Sequence, residues 1–511
     1  MATTTTELWQ RWRSAVVALA AGAMLPLAFA PFGLYPLSVV AMLLLFAVWL
    51  HGDWRRNLRD GLFFGLGLFG VGVSWVFVAV HVFGETGVVA AALFTALFIV
   101  LLALFPASLG GCIGLLRARL RPTPAASLLL LLPATWVLWE WLRSWFFTGF
   151  PWLSLGYAHS DAPLIGLAPL GGVFAVSWAV AFTAGGLLWL WVSREDCRPM
   201  NRIALVLIVL WAGSYLLAQK EWSEADGEPL EVSLIQGNIA QEVRWDDAWF
   251  QHTLDLYAEL TLAERGRDLI VWPENAIPIF YDQLRDSYYR PLAARLAESG
   301  SELLAGMPVF LPETGRYYNS LVRIGEAPAF YHKRHLVPFG EYVPLEGVLR
   351  GLIGFFDLPM SAFAPGHHDD PPTLEVAGVE AGLSICYEDL FGHRFRHSAA
   401  AGILINASNN AWYGDSLAPH QHLQISRLRA IETARPLLRA TTNGISAVID
   451  PDGTVRLRSP QFEQHVLRAE AQPQRGTTPY VRHGDGPLLI LLLLALAALL
   501  LPPLRRRDTL A

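Results

Sequence analysis

The chain has 511 residues, 53% of them hydrophobic and only 16% charged, with a mean hydropathy of +0.36. That balance excludes an ordinary soluble globular protein and points to a membrane protein long enough to carry a further domain. A net charge of −6 without any basic block excludes nucleic acid as a partner.

Taken in chain order, apolar windows lie near residues 14–30, 35–51, 61–82, 87–116, 126–147, 163–193, 203–219 and 486–503. Most approach the roughly 20 residues needed to cross a hydrocarbon core. They predict about eight spans: seven in an N-terminal transmembrane bundle over 1–219, and one in 485–511, followed by a cytoplasmic tail. Pro31 and Pro36 interrupt the first two, which also fit a re-entrant hairpin. Ala28-Phe29-Ala30 resembles a signal-peptide processing site, but Pro31 directly after it opposes cleavage.

Arginines cluster at 11–13, 55–59, 117–121, 194–202 and 505–507, whereas the alternate loops 31–34, 83–86 and 148–162 hold no Lys or Arg. The positive-inside rule then puts both termini in the cytoplasm and residues 220–484 outside it. Within the spans Glu140 and Arg143 stand one helical turn apart. Ionisable groups are rare at such depth, so the two are expected either to neutralise each other or to bind a phospholipid headgroup. Residues 149–157, with Phe150, Trp152 and Tyr157, read as an interfacial aromatic belt.

From about residue 230 the long apolar windows give way to short apolar runs alternating with amphipathic segments. Candidate strands are 230–236, 268–272, 303–307, 320–324, 329–332, 378–385, 403–407 and 446–450. Candidate helices lie near 246–265, 283–298 and 418–435, the last with Leu423, Ile425, Leu428, Ile431 and Ala434 on one stripe. The alternation predicts an α/β layered domain over 220–484, with Pro451-Asp452-Gly453 as a late hairpin turn.

Three residues in this domain stand out, each near the end of a strand-like run: Glu274, Lys333 and Cys386. Cys386 is the only cysteine between 220 and 484, and Lys333 is one of two lysines among 38 basic residues, so a compact ammonium was not the default choice there. Three cysteines with two in or beside spans build no disulfide framework. Individually each of the three residues also reads as a buried Cys or a surface charge; together they are the inventory of a nucleophilic acyl-transfer site. In that role Glu274 takes the thiol proton, with a pKa raised by the apolar Trp272 and Ala276-Ile277-Pro278 around it, and Lys333 donates to the oxyanion.

Trp245 and Tyr387 are candidates for lining an acyl pocket, or ordinary core aromatics. Residues 346–365 gather Leu349, Leu352, Ile353, Phe355, Phe356, Leu358, Met360 and Phe363. Such a patch is expected to be a lid that admits lipid tails past Phe355 and Phe356, or else to pack into the core. His367-His368-Asp369-Asp370 lacks the spacing of a metal site, and His420 and His422 cannot share a helix face, so neither metal nor cofactor is expected.

The order Glu274, Lys333, Cys386 resembles the nitrilase superfamily, whose α/β sandwich domains use a Glu-Lys-Cys triad. The wider spellings, Trp272-Pro273-Glu274-Asn275-Ala276, Val337-Pro338-Phe339-Gly340-Glu341-Tyr342-Val343-Pro344, Cys386-Tyr387-Glu388-Asp389 and the run from Asn406 to Gly414, together with flanking spans, resemble its membrane-anchored branch, the apolipoprotein N-acyltransferase family. The resemblance implies a ping-pong transfer through a Cys386 thioester. The donor would be a phospholipid such as phosphatidylethanolamine, and the acceptor the α-amine of a diacylglyceryl-cysteine on an apolipoprotein. It implies an enzyme of the bacterial inner membrane with a periplasmic catalytic domain, and it assigns supporting roles to Glu341, beside Lys333 or the amine, and Glu388, at the strand end presenting Cys386. The alternatives are an anchored amidase in which water replaces the amine, and a transporter with an external binding domain.

Overall fold

The structure, a computed structural model, describes residues 5–84, 86–194, 197–240, 247–344, 363–367 and 369–500. The N-terminal half is helical: α1 (Thr5–Met24), α2 (Pro36–Leu50), α3 (Trp54–Gly72), α4 (Val88–Leu120), α5 (Leu132–Arg143), α6 (Ala168–Val192) and α7 (Cys197–Ala218). Four stretches are long and apolar enough to cross a membrane: Val88–Leu120, Pro124–Arg143, Pro163–Val192 and Met200–Ala218. Trp54–Gly72 with Val76–Phe83, bent by 60°, makes a fifth if the two are one span. Three further apolar helices are shorter: Trp12–Ala28, Pro36–Leu50 and Gly486–Ala498. The expectation of eight full spans is thus met by four or five. The reason is length: a helix of 15 residues such as α2 rises about 22 Å, against about 30 Å of hydrocarbon. Helices α3 and α4 approach so closely that a Cβ on Gly61 would stand 2.2 Å from the Pro106 carbonyl oxygen.

The second half is a sandwich of two six-stranded sheets. Its strands are β1 (Leu230–Gln236), β2 (Leu269–Val271), β3 (Glu302–Leu311), β4 (Arg316–Ile324), β5 (Ala329–His332), β6 (Thr373–Val376), β7 (Val379–Ile385), β8 (Ile403–Ser408), β9 (Leu437–Thr441), β10 (Ala447–Ile449), β11 (Val455–Arg458) and β12 (His465–Ala471). One sheet runs β12-β1-β2-β3-β4-β5 and the other β11-β10-β9-β8-β7-β6. The two-residue period of a strand sorts the side chains. Val232 and Leu234 join Leu383, Ile385, Ile405 and Leu438 between the sheets. Ile235 instead turns outward to α8 (Asp247–Leu262) and α9 (Arg290–Ala297), packing with Tyr257 and Leu292. The other sheet is covered by α10 (Leu417–Thr433), and α11 (Gly486–Ala498) closes the chain's described part. This is the layered α/β domain expected. The hairpin at 451–453 joins β10 to β11, with the Gly453 N–H donating to the Asp450 carbonyl at 2.8 Å.

The single apolar stripe expected on α10 is corrected: the helix is buried nearly all round. Leu423 and Ala430 face the sheet, while Ile425, Leu428 and Ile431 pack into the apolar core of the bundle. A helix wedged between two bodies has no solvent face to leave polar, and its polar residues become connectors. The Gln421 carboxamide oxygen accepts from the indoles of Trp75 (3.3 Å) and Trp152 (2.6 Å), and its nitrogen donates to the Gly72 carbonyl. Glu432 accepts from the Val173 N–H of α6 at 2.8 Å.

Candidate active site

Glu274 lies three residues beyond β2, Lys333 directly follows β5 and Cys386 directly follows β7. Ligands of open α/β sheets meet the carboxyl ends of strands, and at that edge the three residues share one buried cluster. Lys333 Nζ donates to Glu274 Oε1 at 3.1 Å and to Glu341 Oε1 at 2.9 Å. Asn319, from β4, donates through one Nδ2 to the same two oxygens, at 2.7 and 2.8 Å. The far oxygens are also occupied: Glu274 Oε2 accepts from the Asn409 N–H and Glu341 Oε2 from the Val337 N–H. Lys333 is 1% exposed and Cys386 6%, and the thiol lies within electrostatic reach of Glu274, Lys333 and Glu341.

Burial acts on all three groups, and their partners decide the outcome. It works against the Glu274 carboxylate, but Lys333 and the hydrogen bonds from Asn319, Lys333 and Asn409 outweigh it and hold the carboxyl below its usual range. The raised pKa expected for Glu274 is therefore corrected for the resting site. Apolar neighbours do surround it, with Trp272 and Ile277 fully buried, but a buried ammonium at contact distance is the stronger influence. Burial also opposes the Lys333 ammonium, yet Glu274 and Glu341 keep it well above the ordinary lysine value. Burial and the Glu274 charge push the Cys386 thiol up. The resting state is thus carboxylate, ammonium and neutral thiol. The depressed carboxyl stabilises the fold above the ordinary glutamate pKa of about 4.3, and that contribution is lost as pH falls through the lower folded value.

Glu388, two residues beyond the thiol, ties both chemical segments together. Its Oε1 accepts from the Arg334 and His335 N–H groups (2.7 and 3.1 Å), and its Oε2 from Tyr331 Oη and the Ile385 N–H (2.9 and 2.8 Å). Burial pushes its carboxyl up against the opposing pull of those bonds. Glu388→Gln converts one acceptor into a donor facing donors. Leaving two buried groups unpaired at about 1–3 kcal/mol each, it is expected to lower unfolding free energy by about 2–6 kcal/mol in denaturant titrations.

The remaining candidates scatter. Tyr387 is buried on the bundle side and its hydroxyl donates to the Gly149 carbonyl at 2.8 Å, joining the turn of Cys386 to the aromatic loop. Glu140 and Arg143 are buried and both bond to that same loop. Glu140 Oε1 accepts from the Leu155 N–H at 2.9 Å, and Arg143 Nη1 donates to the Trp152 carbonyl at 2.6 Å. A loop of irregular backbone beside apolar helices needs such partners for its peptide groups. Trp245, Phe355 and Phe356 lie outside the described residues, as does most of 346–365; Phe363 is buried and its N–H donates to the Glu341 carbonyl. Among the described residues, no group of three His, Cys, Asp or Glu side chains is placed to hold a metal.

Sequence reasoning passed over Asn319, the amide shared by both carboxylates, and Arg439 and Asp389, buried beneath the thiol. The available signal was a polar residue inside an apolar strand run, Asn319 in β4 and Arg439 in β9, since such residues are rarely buried without a specific partner.

Sequence comparison with known proteins agrees with this architecture. Residues 21–186 match the apolipoprotein N-acyltransferase N-terminal domain family and residues 231–479 the carbon-nitrogen hydrolase family. The apolipoprotein N-acyltransferase of Methylococcus capsulatus is 42% identical over 93% of this chain and 94% of its own length. That of Pseudomonas aeruginosa is 40% identical over 93% of each. Among solved structures, an amidase from Nesterenkonia sp. aligns at 22% identity over 48% of this chain and 92% of its own, with a TM-score of 0.34. Apolar helices and a carbon-nitrogen hydrolase sandwich, matched along almost their whole joint length at this identity, leave one assignment: the chain is a membrane protein and belongs to the apolipoprotein N-acyltransferase family.

Proposed function

We propose that the chain moves a fatty acyl group from a phospholipid, phosphatidylethanolamine being the favoured donor, to the free α-amine of a diacylglyceryl-cysteine at the N-terminus of an apolipoprotein. The observation that carries this reading is the buried Glu274–Lys333–Glu341 cluster around Cys386, set at the seam with an apolar helical bundle. In the first half-reaction the Cys386 sulfur attacks the ester carbonyl carbon while its proton passes to Glu274. The oxyanion is met by Lys333, whose ammonium is too strongly held to act as a base. Collapse breaks the ester C–O bond, and the lysophospholipid leaves with the proton from Glu274. In the second, the amine attacks the thioester, Glu274 takes its proton, and the thiolate departs to be reprotonated.

The resting electrostatics refine this scheme. With the thiol pushed up and Glu274 held down, a preformed thiolate is disfavoured, so proton transfer accompanies C–S bond formation. A buried site also limits loss of the thioester to water, which favours an amine acceptor over the amidase alternative. Glu341 holds Lys333 in place and Glu388 holds the turn that presents the thiol; Tyr387 and Trp245 border the acyl pocket, with the apolar 346–365 segment, including Phe355 and Phe356, as its cover. The reading includes a periplasmic sandwich on the outer face of the inner membrane and cytoplasmic termini. Arginine-rich loops alternating with arginine-free ones support that arrangement, as does the total of eight apolar helical segments when short and bent ones are included.

Glu274→Gln tests the proton assignment. It keeps size and one acceptor oxygen but loses the base, so single-turnover formation of the acyl-enzyme, followed by intact-protein mass spectrometry, is expected to slow by about 10²–10⁴. Adduct appearing at the wild-type rate would remove Glu274 from that role.

A further inference from the structure

Cys386 sits in the left-handed region with φ of +51°, a conformation that residues with a Cβ rarely adopt. Such strain persists only where the surroundings over-determine it. Glu388 pins the turn from one side, through the Ile385 N–H. The other side holds a second buried polar cluster that the chemistry described above does not use.

At its centre is Arg439 of β9, fully buried, as is Asp389 in the turn Cys386–Leu390. One guanidinium reaches four partners: Asp389 Oδ2 at 3.2 Å, Asn406 Oδ1 at 2.8 Å, Ser426 Oγ at 2.9 Å and Asn410 Oδ1 at 3.0 Å. Because arginine only donates, these contacts fix which way each amide is turned. Asn406 must then present its Nδ2, which donates to Ser384 Oγ at 2.9 Å and to the Cys386 carbonyl at 3.3 Å. Asn410 must likewise present its Nδ2, which faces His422 Nδ1 at 3.3 Å. That leaves the ring proton on Nε2, where it is donated to Asp389 Oδ1 at 2.7 Å, and the ring also lies within hydrogen-bonding reach of the Cys386 carbonyl. Every amide and imidazole orientation in the cluster thus follows from one side chain.

We infer that Arg439 is a positioning residue for the reaction: through Asp389, Asn406 and the Asn410–His422 pair it locks the turn and carbonyl of Cys386, so that the thiol stays aimed at Glu274 and Lys333. Lysine cannot replace it, since a single ammonium does not reach acceptors spread over both ends of a guanidinium. A misplacement of about 1 Å at a reacting atom costs about 10²-fold in rate.

This inference rests on the thioester reading, and its test separates the two. The full chain in detergent is compared as wild type, Arg439→Lys and Asn406→Asp. The Asp variant is isosteric and strengthens the contact to Arg439, but replaces the donor facing the Cys386 carbonyl by an acceptor. Both variants are expected to slow acylation of Cys386 by phosphatidylethanolamine about 10- to 100-fold with KM for the lipid unchanged. Both should also shift the pH profile of Cys386 alkylation by iodoacetamide, a reaction that needs no lipid. Wild-type acylation by Asn406→Asp, or a defect confined to KM, overturns the inference, whether or not Arg439→Lys folds. If wild type itself forms no acyl adduct, the thioester reading fails, and an unchanged alkylation profile in Asn406→Asp then overturns the positioning role separately.

Discussion

Cys386→Ala is expected to abolish acyl transfer, with a loss of order 10⁴ or more, because the thioester route has no second nucleophile to fall back on. Wild-type protein incubated with phosphatidylethanolamine should gain one fatty-acyl mass that hydroxylamine removes, and the Ala variant should gain none. The fold should survive. Cys386 is a small side chain at the mouth of the inter-sheet core, and the strained turn is held by Glu388 and Asn406 through backbone groups rather than through sulfur. A variant that is folded and lipid-bound yet carries no adduct is therefore the anticipated state. An adduct on the Ala variant would place the acyl group on another residue and end the proposal.

Lys333→Met is expected to have the second largest effect, and on both activity and stability. In the native cluster one ammonium satisfies Glu274 Oε1 and Glu341 Oε1 together. Without it the two Oε1 atoms of these buried carboxylates share the amide nitrogen of Asn319. Breaking a buried pair this way costs about 3–5 kcal/mol. Like charges at that separation cannot both remain ionised, so the pair takes up a proton with an apparent pKa raised above the ordinary glutamate range. Glu274 is then lost as a base at the same time as the oxyanion donor, itself worth about 10²–10³ in rate.

The pH dependence of stability should invert as well. In the wild type the depressed Glu274 carboxyl means stability is lost as pH falls through its folded value. In Lys333→Met the raised carboxyl pKa means stability is present at low pH and lost as pH rises through that value. Thermal melts at about pH 5 and about pH 7 check the sign: the variant should melt higher at the lower pH. The opposite order would show that the two carboxylates do not depend on Lys333 for their charge.

Several strands were legible because their burial follows chain-local patterns. Segments 230–236 and 329–332 are observed with the limits expected, and 403–407 gains a single residue, Ser408. The strands passed over, β6, β9, β11 and β12, explain the limits of such reading. β9 is Leu437-Leu438-Arg439-Ala440-Thr441, in which a buried arginine disguises a central strand. β11 and β12 lie on the edges of their sheets, where alternate residues meet solvent and the apolar signal thins. Helix α10 shows the opposite error: a helix buried on both sides looks amphipathic if one chooses the residues that happen to share a stripe.

The residues proposed to carry the chemistry stand out in the sequence for a different reason. A thiol alone in its domain, one of only two lysines in an arginine-rich chain and a carboxylate at a strand end are unusual choices, and unusual choices are visible one residue at a time. Amide partners are not. A polar residue in a strand run flags Asn319 and Arg439 but does not say that one is the shared donor of two carboxylates or that the other sets two amide orientations, since those functions exist only where distant segments meet.

Local chemistry therefore sufficed to determine that this is a membrane chain with an α/β domain between its apolar ends, and which thiol, ammonium and carboxylate to examine. Those properties depend on composition and on the periodicity of neighbouring residues. Protonation was decided by the tertiary structure. Glu274 and Lys333 are 59 positions apart in sequence and 3.1 Å apart in the fold. Coulomb energy and desolvation depend on that spatial distance and on burial, so the charge each group carries at rest could be read only once the two had been brought together.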